Sequence, residues 1–333
     1  LVYLRARGRL GPALLGAAAV ALLAADLGLY ASRLNLMQPR ESIFRPAPAG
    51  RSLDFLADRR AAEGPFRVLS FEPRRGPFSG LMPPSTGALY GIEDVLGFDS
   101  INLARYRELM EALDPAIVVK RGNFRGAQNP QVFTLPLVDL LNVRYVMAGP
   151  VGQLPGLRRV HRSDLEIHEN PDALARAFLV PEVRVEPDPA ATVRAMALPS
   201  FRPDLWAYSE SSILQDLEHR TERPGPPAPS SPGTARYLPG NERVEVEIAP
   251  ERTALLVVTD CWYPGWKAFV DGAERPIHRV DHTFRGVVVH PGDRRVVFEY
   301  HPASFRHGTM LSLSALVLLG LGAWLARTRT ENR

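Results

Sequence analysis

A single cysteine, Cys261, in 333 residues leaves no partner for an intrachain disulfide and excludes a cysteine-based zinc or iron–sulfur site. Charge of one sign is also scarce: 40 Lys and Arg against 36 Asp and Glu leave +4, too weak a surplus for a nucleic-acid partner. The chain has no Gly-x-x-x-x-Gly-Lys phosphate cradle, no Gly-x-Ser-x-Gly nucleophile elbow and no Asp-x-Asp pair to hold a nucleotide-sugar through a divalent metal. The composition also excludes collagen and coiled coil. What is abundant is proline, 31 residues and almost twice the usual share, which argues for long irregular stretches inside a chain whose 45% apolar content is otherwise globular.

The apolar residues are unevenly placed. A mean hydropathy of -0.10 averages two apolar ends with a polar middle. Residues 10–31 carry one charge, Asp26, and residues 307–326 run through Leu311, Leu313, Leu316, Leu318 and Leu321 to Trp324. Each is long enough to cross a bilayer, which needs about 20 apolar residues. Arg5, Arg7 and Arg9 precede the first stretch, and Arg327, Arg329 and Arg333 follow the second, so the positive-inside rule places both basic ends, 1–9 and 327–333, in the cytoplasm. The rest then lies outside a bacterial inner membrane. The first stretch also has the outline of a signal peptide, but its apolar run exceeds the usual ~7–15 residues and a second span follows. Asp26 is costly in lipid and calls for a helix packed against other helices.

Residues 32–220 read as an extracytoplasmic α+β region. A Pro-rich tether over 37–50 leads to a helix over 52–62, with Ser52 as N-cap and Leu53, Leu56 and Ala57 as its apolar stripe. A strand over 66–71, a loop over 73–84, a helix over 100–113 and a short one over 135–141 come next. A strand over 143–148 follows, and runs over 165–168, 177–180 and 183–185 suggest a small mixed sheet. Residues 221–233 are mostly Pro, Ser and Gly and mark a linker. Beyond it, over 234–306, the period is two: Val244, Val246 and Ile248 point one way, Glu245 and Glu247 the other. Strands over 254–259, 266–270, 286–289 and 295–300 complete a β-sandwich, with Asp271-Gly272 as a hairpin and Pro291-Gly292-Asp293 turning the last pair. The fold expected is α+β: two transmembrane helices flanking an extracytoplasmic mixed α/β region and a C-terminal antiparallel β-sandwich.

Few residues offer chemistry. The carboxylate pairs Glu93-Asp94 and Asp216 with Glu218 read as solvated surface. His278, Asp281 and His282 are the densest group of metal-ligand types, but an extended strand puts the two histidines about 13 Å apart, too far for one ion unless the chain turns; they read as surface or turn residues, and no metal or cofactor is called for. Cys261, beside Trp262 and with no His nearby, reads as a buried small hydrophobe. The unusual patch is Thr259-Asp260-Cys261-Trp262-Tyr263-Pro264-Gly265-Trp266-Lys267-Ala268, where Pro264-Gly265 demands a tight turn and gathers large aromatics beside Asp260 and Lys267, with Phe284-Arg285 facing. Aromatics that close the end of the core would look the same. The other reading is a glycan-facing or membrane-facing surface made of Asp260, Tyr263, Trp266, Lys267 and Arg285.

At this patch the chain resembles a family. Tyr263-Pro264-Gly265-Trp266-Lys267-Ala268, Val270-Asp271-Gly272, Phe284-Arg285-Gly286-Val287, Phe298-Glu299-Tyr300-His301-Pro302 and Phe305-Arg306-His307-Gly308 look like the C-terminal end of the bacterial YfhO-type membrane proteins. Residues 140–146 and 169–180 resemble that family too. Its members are similar to GT-C glycosyltransferases, so the resemblance implies transfer of a sugar from a polyprenyl-phosphate carrier to a cell-envelope acceptor. Its catalytic carboxylate belongs to a first outer loop with no counterpart here, so no catalytic residue is named. The chain is therefore expected to be an accessory, C-terminal portion, as a start at Leu1 hints, partnered by the bilayer, the remaining helices of the full-length protein, a polyprenyl-phosphate-linked sugar and envelope glycan. The rival expectation is a non-catalytic, membrane-anchored envelope protein whose sandwich binds glycan or a partner protein. A secreted hydrolase fits poorly, given the last apolar stretch and the lack of a nucleophile or metal motif.

Overall fold

The computed structural model describes residues 11–34, 50–73, 86–97, 102–119, 124–211, 213, 231–240 and 242–331. The basic start, most of the tether, the loop over 74–84, Asp216, Glu218 and nearly all of the linker lie outside these residues.

The first compact unit contains helix α1 (Pro12–Leu34). Its stretch Ala13–Tyr30 is long and apolar enough to cross a membrane. Leu14, Leu22, Leu23, Leu27 and Leu29 are all exposed. A helix apolar on every side needs either a protein interior or lipid around it.

The second unit opens with α2 (Gly50–Glu63), which buries Leu53 and Leu56 while Ala57 faces solvent. Ser52 is not its N-cap. The helix begins two residues earlier, and its first free N–H groups, on Arg51 and Ser52, donate to the Asp164 carboxylate at 3.0 and 3.1 Å. A carboxylate at a helix start satisfies orphan donors and meets the positive end of the macrodipole. Burial works against the Asp164 charge, but hydrogen bonds from Ser163, Ser52 and the Leu165 and Arg51 amides hold its carboxyl down at about 2.

Strands β1 (Arg67–Phe71), β2 (Glu93–Asp94), β3 (Val143–Ala148), β4 (Arg158–Arg162) and β5 (Glu166–Glu169) form one sheet in the order β2-β1-β3-β5-β4. β1 runs parallel to both neighbours, which requires the long crossover that carries α3 (Ala104–Leu113) and α4 (Pro136–Leu140). β6 (Ala177–Val180), β7 (Glu182–Val185), α5 (Pro189–Met196) and β8 (Trp206–Ser209) follow. The runs at 165–168, 177–180 and 183–185 therefore do not share a sheet. β5 stays in the first, while β6 and β7 take opposite edges of another.

That other sheet reads β6-β11-β15-β14-β8-β7, with β11 (Ala254–Cys261), β14 (His278–Val280) and β15 (Phe284–Val289) at its centre. Facing it is the sheet β13-β12-β16-β10-β9, built from β9 (Gly233–Leu238), β10 (Arg243–Pro250), β12 (Trp266–Val270), β13 (Ala273–Arg275) and β16 (Arg295–Tyr300). Between the two sheets pack Leu179, Val244, Val246, Leu256, Val258, Val270, Val287, Val296 and Phe298. Leu255, Val257, Phe284 and Val288 point the other way, into a second core shared with Leu69, Leu109, Met110 and Val146. β11 and β15 are thus covered on both faces, so their sequences run apolar without alternation. β10 has one face in water and alternates cleanly.

Asp271-Gly272 makes the expected hairpin, with both residues at positive φ (49° and 90°), joining β12 to β13. The Pro291-Gly292-Asp293 turn does not join a pair: it carries the chain from β15 in one sheet to β16 in the other. The chain then enters α6 (Ala303–Glu331) after His301 and Pro302 alone, and Ala303–Gly322 is long and apolar enough to cross a membrane.

Candidate functional site

Asp260 lies near the end of β11, where pairing with β15 slips between Val258 and Cys261. A slip of this kind re-aims side chains at the rim of a sheet. The displaced backbone is tied down on both sides: the Thr259 N–H donates to the Arg176 carbonyl at 3.0 Å, and Arg67 Nη2 donates to the Thr259 carbonyl at 2.8 Å. The Asp260 carboxylate then meets three guanidiniums. Arg176 Nη2 stands 2.5 Å from Oδ1, Arg285 Nη2 2.7 Å from Oδ2 and Arg67 Nη2 3.5 Å from Oδ1, while the Tyr237 hydroxyl donates to Oδ2 at 3.0 Å.

These partners come from four places in the chain. Arg67 begins β1, Arg176 precedes β6, Tyr237 lies on β9 and Arg285 on β15. One carboxylate thus links all three sheets. Burial pushes the Asp260 carboxyl up, but Arg176, Arg285 and Arg67 outweigh it and hold the group below its ordinary value. The arginines are not equivalent. Burial pushes Arg67 down, with Arg176 beside it adding to the effect, and burial likewise pushes Arg285 down. Arg176 is raised, because Asp260 and Glu93 overcome its burial.

Arg285 is 2% exposed, so it is an internal residue and not a surface one. Its guanidinium lies 4.1 Å from the Trp266 ring centroid and 5.0 Å from that of Phe298, and Arg176 covers Tyr237 at 5.1 Å. Desolvated contacts of this type contribute about 2 kcal/mol. Trp266 continues outward to Tyr300 on the neighbouring strand, centroids 5.3 Å apart, and Tyr300 to Tyr263 at 6.4 Å. Tyr263 is 47% exposed. Lys267, one residue on from Trp266 and so on the opposite face of β12, is exposed and paired with Glu274 at 3.0 Å. Of the five residues singled out from sequence, Asp260, Arg285 and Trp266 converge in one stack, with Arg285 buried and the other two half-buried, Tyr263 stands at its outer end, and Lys267 stands apart.

The aromatic end is locked to the last helix. Gly265 has φ +105°, its carbonyl accepts from His301 N–H at 2.7 Å, and a Cβ there would come within 3.1 Å of the Tyr300 ring and 3.2 Å of Pro302 Cα. Only glycine takes this conformation at such close approach without strain.

Glu93 and Asp94 are not a solvated pair. Glu93 sits 3.4 Å from Arg60 Nη1 and 3.3 Å from Arg176 Nη1, and burial pushes the Asp94 carboxyl up to about 6. In the histidine group the turn reading holds and the surface reading does not, with His278 half-buried on β14. Asp281 and His282 form the β14–β15 turn with positive φ (45° and 68°), both buried, and His282 Nε2 meets Glu108 at 2.8 Å. Among the described residues no three His, Cys, Asp or Glu side chains cluster as metal ligands. Cys261 is half-buried, and burial raises its thiol above the ordinary value. Arg67 and Tyr237 carry no signal in sequence, and Glu93 reads there as surface, because their contacts are non-local, with a separation of 192 between Arg67 and Thr259. Arg176 falls inside one of the family-like segments.

Residues 237–312 match the family model described as bacterial membrane protein YfhO, so this segment is similar to proteins of that family. The match runs from β9 through the aromatic end and into the first third of α6. No curated protein and no solved structure matches the chain.

Proposed function

We propose that this chain is the extracytoplasmic, membrane-seated accessory segment of a multi-span GT-C-like glycosyltransferase in the bacterial cytoplasmic membrane. In this role it positions donor or acceptor while a sugar passes from a polyprenyl-phosphate carrier to a cell-envelope acceptor. The observation that carries the reading is the junction of sandwich and helix: Tyr263, Trp266 and Tyr300 form an aromatic rim two residues from the start of α6. Tyr and Trp rings settle at the headgroup level, where their apolar bodies and polar edges are both satisfied. The rim would hold the sandwich against the bilayer surface. The YfhO match over the same residues supports a membrane role, and the basic residues flanking both apolar stretches support the orientation.

Asp260 and Arg285 serve this reading as a buried brace beneath the rim. Tyr263 and Trp266 are the membrane-facing pair, and Lys267 is turned away from them on the other face of β12.

The test is deletion of the gene in its native bacterium, followed by mass spectrometry of polyprenyl-phosphate sugars and of envelope glycan. Accumulated donor together with glycan lacking one sugar is the expected result. Unchanged donor and glycan pools would overturn the transferase reading. The rival role, an anchored envelope protein that binds glycan or a partner, would then be sought by retention of purified envelope glycan on the immobilised chain.

A further inference from the structure

We propose that the cavity bounded by Arg60 and Arg67 is a phosphate site. Those two guanidiniums, with Arg176 behind them, would bind the oxygens of a phosphate group.

The first ground is charge. Arg60, Arg67, Arg176 and Arg285 form one connected cluster with the carboxylates of Glu93 and Asp260. Asp94, whose carboxyl titrates at about 6, adds a third carboxylate near neutral pH. Among the described ion pairs the four cations thus share two carboxylates, with Asp94 and, acting on it, Glu72 nearby, in a place where Arg176 and Arg285 are 5% and 2% exposed. An uncompensated buried charge is costly, and an incoming anion removes the imbalance.

The second ground is unmet donors. Nε and Nη1 of both Arg176 and Arg285 are buried with no hydrogen-bond partner among the described residues. The Arg285 pair lies over the Trp266 and Phe298 rings, which partly satisfies it. Arg176 in turn lies over the Tyr237 ring, and its Nη1 stands 3.3 Å from Glu93 Oε2, outside hydrogen-bond geometry. Glu93 is also loosely held by Arg60, at 3.4 and 3.5 Å, whereas Asp260 is gripped at 2.5 and 2.7 Å. Glu93 is the carboxylate a better acceptor would displace.

The third ground is space. The cavity measures about 430 Å³, and Arg60, Arg67, Gly91, Glu93, Asp94 and Gly97 line it. That volume falls within the range of small-ligand sites. A carboxylate offers two oxygens, while a phosphate monoester offers three; Arg60 and Arg67 line the cavity, Arg176 adjoins it through Glu93, and planar guanidinium donors match that geometry.

The inference goes beyond the sugar-transfer reading and does not depend on it. A phosphate could arrive as a free anion or as the head of an isoprenyl phosphate, and the experiment separates these. The purified full chain in an uncharged detergent is titrated calorimetrically with inorganic phosphate and, separately, with farnesyl phosphate. Saturable binding of at least one is expected, tighter for farnesyl phosphate if the natural ligand is a lipid head and no tighter if it is the free anion. Arg60→Gln is expected to weaken binding by about tenfold, the loss of one charge-assisted bond. Glu93→Gln, which removes the competing carboxylate, is expected to tighten it by about threefold or more. A purely structural cluster would give no such gain. Absence of saturable heat with both probes overturns the proposal, and so does binding that neither substitution alters.

Discussion

Asp260 at the end of β11 and Asp281 at the end of β14 flank the first residue of β15, Phe284, and the chain accommodates these two buried carboxyls in opposite ways. Asp260 is surrounded by three guanidiniums and a tyrosine hydroxyl and stays ionised. Asp281 has no cation beside it among the described ion pairs. It accepts the Tyr208 N–H at 2.8 Å, and burial, the stronger influence, pushes its carboxyl up to about 7. The first arrangement joins three sheets through charge; the second fastens one turn to the neighbouring strand β8 through a polar group that is half neutral near pH 7. Burial alone therefore does not say what a carboxylate contributes; its partners do.

The largest break in this comparison is Asp260→Ala. It leaves Arg67, Arg176 and Arg285 facing one another without their shared anion, and loss of about 3–5 kcal/mol is expected in denaturant unfolding in detergent. A loss under about 1 kcal/mol would mean that the cluster is not a brace.

Asp281→Asn sharpens the contrast from the other side. The folded carboxyl titrates at about 7 and the unfolded one near its ordinary 3.8, so the folded state holds the extra proton between those values. Its contribution is therefore full at low pH and is lost as pH rises through about 7. The asparagine variant should match wild type near pH 4 and be more stable at pH 8, by at most roughly 4 kcal/mol, since each tenfold difference in acidity between the folded and unfolded carboxyl is worth about 1.4 kcal/mol. Asp260, held below its ordinary value, has the opposite sign: its contribution is present above the unfolded value and lost only as acid protonates the folded carboxyl. Parallel pH profiles for wild type and Asp281→Asn would remove the distinction.

The smallest effect belongs to the rim. Gly265→Ala forces a Cβ into a backbone at φ +105° against Tyr300 and Pro302, with an expected loss of about 1–2 kcal/mol in the same unfolding measurement. An unchanged midpoint would show that the junction yields freely.

How much of this was legible in sequence follows burial geometry. The runs 143–148, 177–180, 266–270 and 295–300 stand where short apolar-rich runs bounded by turn residues place them, because strand and turn preferences leave a local signature. The pairing of strands does not. β6, β7 and β8 join the sandwich from upstream, and the sheet-switching turns at Gly265 and Gly292 look like ordinary hairpin punctuation. The site divides along the same line. Trp266 and Tyr263 were visible as an aromatic run, whereas the role of Asp260 depends on Arg67 and Arg176, which only the assembled fold brings near. Glu93-Asp94 reads as surface in sequence because nothing local tells a charge that faces water from one that faces arginine.

β16 is an interior strand of its sheet, bonded to β10 on one side and β12 on the other, and it runs into α6 with only two residues between. Pro302 fixes one backbone angle of that connector, and the His301–Gly265 bond clamps it to the adjacent turn. A tilt or axial pull on the helix would thus load two ladders of hydrogen bonds in shear together, with little slack to absorb it. The connector between β16 and α6 is therefore a short, braced joint, and a displacement of the helix would reach the sandwich with little lost in between.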